Sequence, residues 1–255
     1  MSLIRKFLFK NKKHINGLIH VGANVGQEVP MYFEITNSNI YLFEPLDSAF
    51  EILKDKYGNL QNVKLYNFGL GNKNQEININ VTQSNFGSSS SVLKPTGHKK
   101  YFPEINFETV ESIKIKKYTD VPDIYANFLL IDVQGYELEV IKGFEDKLKN
   151  FKFIITEISR KEIYENGVLI YDLDKYLNNE GFLRIKTSWV SNKPTGDAVY
   201  INKKDLYPPL IFIYHLKSKF TLSKIYLFLN LFKNRKKLIF VIKEQIKNLW
   251  SKNML

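Results

Sequence analysis

Two acidic side chains stand at the ends of strongly apolar segments, where they could take part in proton transfer. Asp132 closes the most apolar segment of the chain, and Glu157 ends the next one. A carboxylate at the end of a buried strand can accept the proton of a substrate hydroxyl. We therefore expect Asp132 and Glu157 to be the catalytic residues, with His20 and His98 as weaker candidates for the general base.

A turn that contains two glycines follows the first apolar segment and would hold a ligand close to the backbone. Residues 20–26 read His-Val-Gly-Ala-Asn-Val-Gly, and glycine permits a sharp turn where a β-carbon would collide with a ligand. Glu44 ends the second apolar segment, where it could accept hydrogen bonds from a ribose diol. The arrangement suits NAD or S-adenosylmethionine, but the turn lacks the G-x-G-x-x-G pattern of NAD sites.

Each of these residues also has an ordinary structural explanation. Tight turns require glycine whether or not a ligand is bound. Glu44 could be a solvated loop carboxylate, Glu157 could cap a helix or pair with a lysine, and His20 is more typical of a core histidine. Because such residues occur at four strand ends in chain order, a common site is favoured over four coincidences.

The segments that must position these residues alternate between strand and helix patterns. Strands are predicted at 18–22, 40–44, 63–68, 76–81, 110–115, 127–132, 151–157, 182–187 and 197–201. Helices are predicted at 27–36, 47–57 (with Asp47 as N-cap), 136–148 and 172–179. The alternation predicts an α/β fold with a doubly wound, mostly parallel sheet, to which 76–81 and 110–115 add antiparallel strands. About ten residues without a helical pattern join the last two strands, so the last strand is expected to run antiparallel.

The composition excludes several classes of protein. The chain has 255 residues and no cysteine, with 44% hydrophobic and 25% charged residues, as in an ordinary globular protein. A disulfide scaffold, a thiol nucleophile and a cysteine-ligated metal site are thereby excluded. No two histidines lie at the spacing of metal ligands, so no metal cluster is evident. A Mg²⁺ ion with oxygen ligands at Asp132 and Glu157 stays open, although no feature of the sequence supports it.

The net charge of +11 is concentrated at the two ends of the chain. Residues 203–255 carry twelve basic and two acidic side chains, whereas residues 14–202 are net negative. This break predicts a domain at 1–202 and a basic, aromatic-rich helical tail at 203–255. The tail could bind an anionic membrane surface, or pack against the body or a second copy in a homo-oligomer. No signal peptide or membrane span is predicted, so we expect a cytoplasmic protein, peripheral on the inner membrane face if the tail binds lipid.

Six segments together resemble the FkbM-type methyltransferase family. They are 20–26, Phe43-Glu44-Pro45, Gly69-Leu-Gly-Asn72, Ser88–Ser91, Leu130-Ile-Asp-Val-Gln-Gly-Tyr-Glu137 and Gly196-Asp-Ala-Val-Tyr200. The resemblance spans roughly residues 17–202, and the family's first motif commonly opens with Asp where this chain has His20. It implies a Rossmann-like seven-stranded methyltransferase sheet and S-adenosylmethionine-dependent O-methylation of a hydroxyl. The implied acceptor is a sugar, a glycan or a lipid-linked small molecule.

The resemblance also implies which residues hold the cofactor. The methionine part of S-adenosylmethionine would lie beside the turn at 20–26, its ribose on Glu44, and its adenine beside Gly69 and Leu70. The full expected set of cofactor contacts is His20, Gly22, Asn24, Gly26, Glu44, Pro45, Gly69, Leu70, Asp132 and Val133. Loops such as 82–108 are expected to set acceptor specificity.

Two other functions stay open. Basic termini would also suit an RNA or DNA methyltransferase, but the region that holds the site is net negative. It also lacks the Asn/Asp-Pro-Pro-Tyr/Phe motif of enzymes that act on flipped bases, so nucleic acid is disfavoured as a partner. The third possibility is a non-enzymatic scaffold whose basic tail is the binding module.

Overall fold

The computed structural model describes residues 3–82 and 84–206. The strands are β1 (Leu18–Val21), β2 (Ile40–Phe43), β3 (Val63–Tyr66), β4 (Gly69–Leu70), β5 (Gln75–Thr82), β6 (Phe107–Lys116), β7 (Phe128–Ile131), β8 (Phe153–Ser159), β9 (Phe182–Trp189) and β10 (Thr195–Asn202). The α-helices are α1 (Leu3–Asn11), α2 (Val29–Phe33), α3 (Asp47–Tyr57), α4 (His98–Tyr101), α5 (Glu137–Lys142) and α6 (Ile170–Asn179). From residue 207 onward, the predicted tail lies outside the described residues.

Seven strands form the main sheet, in the order β3-β2-β1-β7-β8-β10-β9. All pairs are parallel except those of β10, which runs antiparallel to both of its neighbours. The predicted Rossmann-like sheet with an antiparallel last strand is therefore confirmed. The chain winds outward in both directions from β1 and β7, and this reversal of strand order is where such sheets bind ligands.

The central strands are apolar because both of their faces are covered. Every residue of β1, β2 and β7 is buried. One apolar cluster lies on the face covered by α5 and α6, and the other on the face covered by α1, α2 and α3. Helix α1, which the sequence pattern did not predict, buries Leu8 and places the ring of Phe7 edge-on against Phe153, with centroids 5.1 Å apart. Parallel sheets need this coverage on both faces.

The two predicted antiparallel additions form a separate sheet, in the order β4-β6-β5. Strands β5 and β6 pair antiparallel, while the two-residue β4 pairs parallel with β6. Isoleucines on one face of this sheet, Ile79, Ile113 and Ile115, pack with Leu46 and Ala49 at the start of α3. The small sheet therefore lies over the carboxyl ends of the first strands of the main sheet.

Two of the predicted helices are shorter in the structure. Helix α2 covers only Val29–Phe33 of the predicted 27–36, and α5 ends at Lys142 instead of residue 148. After α5 the backbone turns sharply, because Glu145 has a φ of +47°, and a 3-10 turn follows at Glu145–Asn150. The prediction that Asp47 is an N-cap was wrong, since α3 begins at Asp47 itself and Leu46 holds the N-cap position.

The long segment that was predicted as a loop at 82–108 contains the short helix α4 and a 3-10 turn at Ser84–Gly87. It is anchored to the segment after β8, where the amides of Thr96 and Gly97 donate to the carbonyl oxygen of Ile163. None of the helices in the described part of the chain is long and apolar enough to cross a membrane.

Candidate functional site

The candidate site is built where β1, β2 and β7 end at the same level. Val21 is in register with Phe43 and with Ile131, so Gly22, Glu44 and Asp132 leave the sheet side by side. Gly22 has a φ of +84°, and a β-carbon there would lie 1.9 Å from the carbonyl oxygen of Asp132. Only glycine can therefore occupy position 22 while the two strand ends stay this close.

Glu44 is a buried carboxylate that organises two turns. Its Oε2 accepts a hydrogen bond of 2.8 Å from the amide of Asn24, and its Oε1 accepts one of 2.9 Å from the amide of Leu46. Burial raises the pKa of Glu44 to about 7, although both amide bonds act in the opposite direction. The carboxyl group thus links the turn after β1 to the start of α3 at the floor of a cleft.

A single amide group bridges the two predicted catalytic carboxylates. Nε2 of Gln134 donates to Oδ1 of Asp132 at 2.7 Å and to Oε2 of Glu157 at 3.2 Å. Oε1 of Gln134 accepts a hydrogen bond of 2.9 Å from the hydroxyl of Tyr164. The residue has a φ of +54°, so the backbone is held in a strained conformation that aims this side chain at both acids.

The carboxylates around Gln134 shift one another's proton affinity. Desolvation raises the pKa of Glu157 well above its ordinary value, with further increases from Asp132, Glu137 and Asp197. Desolvation also raises the pKa of Asp132, and the hydrogen bond from Gln134 opposes this shift. Many protein atoms lie near Asp132. Its side chain is nevertheless exposed, because it faces three open cavities. Desolvation therefore favours the protonated forms of both carboxyl groups, so the cluster can hold a proton.

Glu137 holds the backbone of this cluster through hydrogen bonds, a role that the sequence did not reveal. Its Oε1 accepts hydrogen bonds from the amides of Val133, at 3.3 Å, and Gly135, at 3.0 Å. Burial raises the pKa of Glu137 to about 7. The side chain thereby fixes the backbone that carries Gln134.

Three cavities meet at Asp132 and Ser88, which line all of them. The central cleft, of about 70 Å³, has apolar walls made by Leu46, Leu70, Ile79, Val92, Ile113 and Ile115. The acidic cavity, of about 270 Å³, lies beside Glu28, Asp132, Glu157 and Asp197. The loop cavity, also about 270 Å³, lies between the 88–105 segment and residues 157–168.

The structure brings most of the expected cofactor residues together. The residues that line the central cleft include Gly22, Asn24, Glu44, Pro45, Gly69, Leu70, Asp132 and Val133. His20 lines the acidic cavity instead, where it is buried and its Nδ1 forms a hydrogen bond of 3.0 Å with the hydroxyl of Tyr32. Burial lowers the pKa of His20 to about 3, so its ring is neutral.

Gly26 lies outside the linings of the three cavities. A β-carbon at this position would approach the side chains of Tyr57 and Leu53 to 2.6 and 2.7 Å. Gly26 therefore packs closely against α3, and its role beside the methionine part of a cofactor stays a prediction.

The sequence did not reveal that Ile79, Ile113 and Ile115 cover the central cleft, and it did not reveal the roles of Gln134 and Tyr164. The alternation of apolar and polar residues predicted the antiparallel strands β5 and β6, but not what they cover. Among the residues that the structure describes, no group of three or more His, Asp or Glu side chains is arranged to hold a metal ion.

The sequence was also compared with known families and proteins. The profile of the methyltransferase FkbM domain family matches residues 20–184. The 2-O-methyltransferase NoeI of Sinorhizobium fredii is 23% identical over 158 residues, which make up 58% of this chain and 65% of NoeI. The hexuronic acid methyltransferase AglP of Haloferax volcanii is 24% identical over 156 residues, which make up 60% of each protein. The chain thus spans less than two thirds of the length of either curated relative.

Among solved structures, the crystal structure of methyltransferase FkbM from Methylobacillus flagellatus matches with a TM-score of 0.50. The two proteins are 14% identical, and the match covers 73% of this chain and 43% of the other. This likeness shows a shared fold.

Glu137→Gln should remove a pH dependence of stability. The pKa of Glu137 is raised to about 7 in the folded protein. The contribution of Glu137 to the free energy of unfolding is therefore most favourable below its pKa in the unfolded chain, and it is lost as the pH rises through about 7. Glutamine keeps the oxygen that accepts both amide bonds but carries no charge. We expect the free energy of unfolding of the variant to match that of the wild type at pH 4 and to exceed it by on the order of 1–3 kcal/mol at pH 8.5.

Urea unfolding at both pH values measures this difference. Glu139→Gln, on the same helix but outside the cluster, is the control. Equal pH dependence in the wild type and Glu137→Gln would show that Glu137 stays ionised in the folded protein.

Proposed function

Because the chain belongs to the FkbM methyltransferase domain family, we propose that it transfers a methyl group from S-adenosylmethionine to a hydroxyl of a sugar or glycan acceptor. The observation that carries the proposal is the convergence of three cavities on Asp132, one of them lined by the expected cofactor residues. The names of NoeI and AglP support a sugar acceptor.

The residues of the central cleft suit S-adenosylmethionine chemically. Its apolar walls match the faces of an adenine ring, and Leu70 and Ile113 are among the side chains that would border it. The oxygens of Glu44 each have a further lone pair for ribose hydroxyls. The backbone at Gly22 offers a surface without a side chain beside Asp132, where a cofactor could approach closely.

Methyl transfer to oxygen requires alignment of the acceptor and removal of its proton. S-adenosylmethionine, when bound, supplies a methyl group on a cationic sulfur. The acceptor hydroxyl would lie in the loop cavity beside Asp132, whose carboxylate takes the hydroxyl proton as the new carbon–oxygen bond forms. The hydrogen bond from Gln134 holds the Asp132 carboxylate in place and favours its charged form.

Asp132 is the better base of the two bridged carboxylates. Burial and three neighbouring acids raise the pKa of Glu157 well above its ordinary value, which favours the protonated form of this carboxyl group. Asp132 is exposed to all three cavities and accepts the shorter of the two bonds from Gln134. In this arrangement Glu157 shares the amide of Gln134 with Asp132, and the proton that leaves the acceptor hydroxyl stays on Asp132.

Nucleic acid is a poor fit for this site. A phosphate backbone requires basic side chains, and binding weakens as these contacts are lost. The acidic cavity instead carries Glu28, Glu157 and Asp197 beside Asp132. These acids favour a neutral, hydroxylated acceptor over a polyanion.

Glu44→Ala should weaken S-adenosylmethionine binding by about 1.5–3 kcal/mol, the range for hydrogen bonds to charged groups. Isothermal titration calorimetry measures the affinity, and circular dichroism checks the fold, because the amides of Asn24 and Leu46 lose their acceptor. Glu51→Ala, on the exposed face of α3, should bind like the wild type. A folded Glu44→Ala variant with unchanged affinity would remove Glu44 from the cofactor site.

Asp132→Asn should lower kcat by about 10²-fold or more, as expected for loss of a general base, with a much smaller effect on cofactor affinity. The rate of the wild type should rise with pH, since the base acts deprotonated. The midpoint should lie above the ordinary aspartate value of about 4, because burial raises the pKa of Asp132.

Release of S-adenosylhomocysteine with an accepted glycoside measures these rates. Glu157→Gln, which mimics the protonated carboxyl, should retain most of the activity. If Asp132→Asn kept near wild-type turnover while Glu157→Gln lost it, the roles of the two residues would be reversed.

We also propose that the tail at 203–255 holds the protein on an anionic membrane surface, separate from the domain at 1–202. The support is the excess of ten positive charges interleaved with aromatic and aliphatic residues. Each lysine near such a surface contributes about 1 kcal/mol, and salt weakens this attraction. An acceptor on a lipid carrier would then be presented to the site at the surface.

Deletion of residues 207–255 should release the protein from vesicles that contain anionic lipid and leave S-adenosylmethionine binding intact. Vesicle flotation at low and high salt measures the attachment, with neutral vesicles as the control. A soluble truncation that floats as well as the full chain would overturn the membrane proposal. Aggregation of the truncation would indicate that the tail packs against the body or a second copy.

A further inference from the structure

His98 is a buried histidine whose two ring nitrogens have no hydrogen-bond partner among the described residues. The side chain is 4% exposed and lines the loop cavity from α4. Burial lowers the pKa of His98, so the ring is neutral and offers one donor and one acceptor. Buried polar atoms without partners are costly and rare, and a bound ligand is one of the ways in which they are satisfied.

Aromatic side chains surround the imidazole and extend along the cavity. The ring of His98 lies 4.7 Å from that of Tyr164 and 5.4 Å from that of Phe102, measured between centroids. Both of these residues also line the loop cavity. Aromatic faces beside hydroxyl-bearing side chains, such as Ser159 and Thr195, suit a ring that has apolar C–H faces and polar edges.

The same tyrosine connects His98 to the catalytic acids. The hydroxyl of Tyr164 donates to Gln134, whose amide bridges Asp132 and Glu157. The cavity therefore has a proton-accepting end at Asp132 and an aromatic end at His98. Its volume of about 270 Å³ is near the lower limit of small-molecule pockets, about 300 Å³.

The charges in the loop cavity select among sugar rings. The carboxyl groups of Asp132, Glu137 and Glu157 line it, and Lys161 at its exposed rim is the one cation among the described lining residues. A uronate carboxylate inside the cavity would be repelled by these acids, whereas hydroxyl groups could donate to them. A neutral ring with neighbouring hydroxyls would also match the donor and acceptor of His98.

We propose that His98 is an acceptor-binding residue and that the loop cavity takes one neutral pyranose unit, with a ring hydroxyl beside Asp132 and a neighbouring hydroxyl on the imidazole. This inference rests on the proposed methyl transfer and specifies its acceptor. The three acids that line the loop cavity thus select neutral sugars over uronates, and His98 binds a hydroxyl of the selected ring.

Histidine ring resonances of the full-length protein test the contact directly. The chain has four histidines, so selective isotope labelling gives four ring signals, and His98→Phe identifies that of His98. With S-adenosylhomocysteine bound, the probes are the methyl glycosides of glucose, galactose and mannose and of the corresponding uronic acids. Each pair differs only at the carboxylate.

The His98 signal should move with at least one neutral glycoside and not with its uronic acid partner. The signal of exposed His14 should stay fixed throughout. No movement with any neutral glycoside, or equal movement with the uronic acids, would overturn the inference.

The thermal stability of His98→Phe distinguishes a role of His98 in ligand binding from a role in the fold. His98→Phe keeps a ring among Phe102, Phe107 and Tyr164 but removes the two unpartnered nitrogens, so Tm should stay the same or rise. The KM for the accepted glycoside should rise about tenfold with a smaller change in kcat. His14→Asn should leave both unchanged. A large fall in Tm for His98→Phe with unaltered KM would show that the nitrogens serve the fold.

Calorimetry with S-adenosylmethionine distinguishes failure of the proposed methyl transfer from failure of the inference about His98. Wild-type protein that does not bind the cofactor contradicts the proposed methyl transfer. Protein that binds the cofactor but gives a stationary His98 signal contradicts only the assignment of the neutral sugar and of His98.

Discussion

The close approach of Gly22 to the carbonyl oxygen of Asp132 is the constraint on which the site depends. A β-carbon at position 22 would lie 1.9 Å from that oxygen, so any side chain would force the ends of β1 and β7 apart. Both strand ends would then move relative to Glu44. The carboxylate of Glu44 accepts a hydrogen bond from the amide of Asn24, which lies two residues after Gly22. The central cleft and the two larger cavities share Asp132, so their junction exists only while this contact is kept.

A second constraint is electrostatic. The site gathers several carboxyl groups in a poorly solvated space, and like charges at short range cannot all ionise. The amide of Gln134 partly compensates by donating to both Asp132 and Glu157, and Glu137 holds the backbone of that residue with two amide bonds. Asp132, the proposed proton acceptor, is therefore held by an amide that it shares with a second acid. This arrangement suits removal of a hydroxyl proton, which needs a base with a raised pKa.

The two sheets contribute different parts of the site, which explains how one fold could bind both a cofactor and a methyl acceptor. The main sheet supplies Gly22, Glu44 and Asp132 from rigid strand ends, which suits a cofactor common to a family. The small sheet covers the central cleft with Ile79 and Ile113. The segment between β5 and β6 carries His98 into the neighbouring cavity. Loops held on a rigid scaffold commonly carry specificity, since they vary without disturbing the core.

Much of this architecture was accessible from the order of residues. The strands of the main sheet were predicted because short apolar segments alternate with helical patterns, and the missing helix between β9 and β10 predicted the antiparallel pair. Local patterns were less informative about helix ends. Helix α5 ends at Lys142, and the next residue, Gly143, packs so closely on Gly71 that a β-carbon at position 143 would lie 2.0 Å from the carbonyl oxygen of Gly71. That contact lies far away in sequence.

The sequence by itself determined that Gly22, Glu44 and Asp132 would share one edge of a parallel sheet, because parallel strands place their carboxyl ends on the same side. It did not determine what those side chains contact. Tertiary structure alone decided that Gln134 bridges two acids, that Gly26 packs on α3, and that His98 lies unpartnered in a cavity. Hydrogen bonds and burial depend on distances of a few ångströms between segments far apart in the chain, and residue periodicity does not encode these distances.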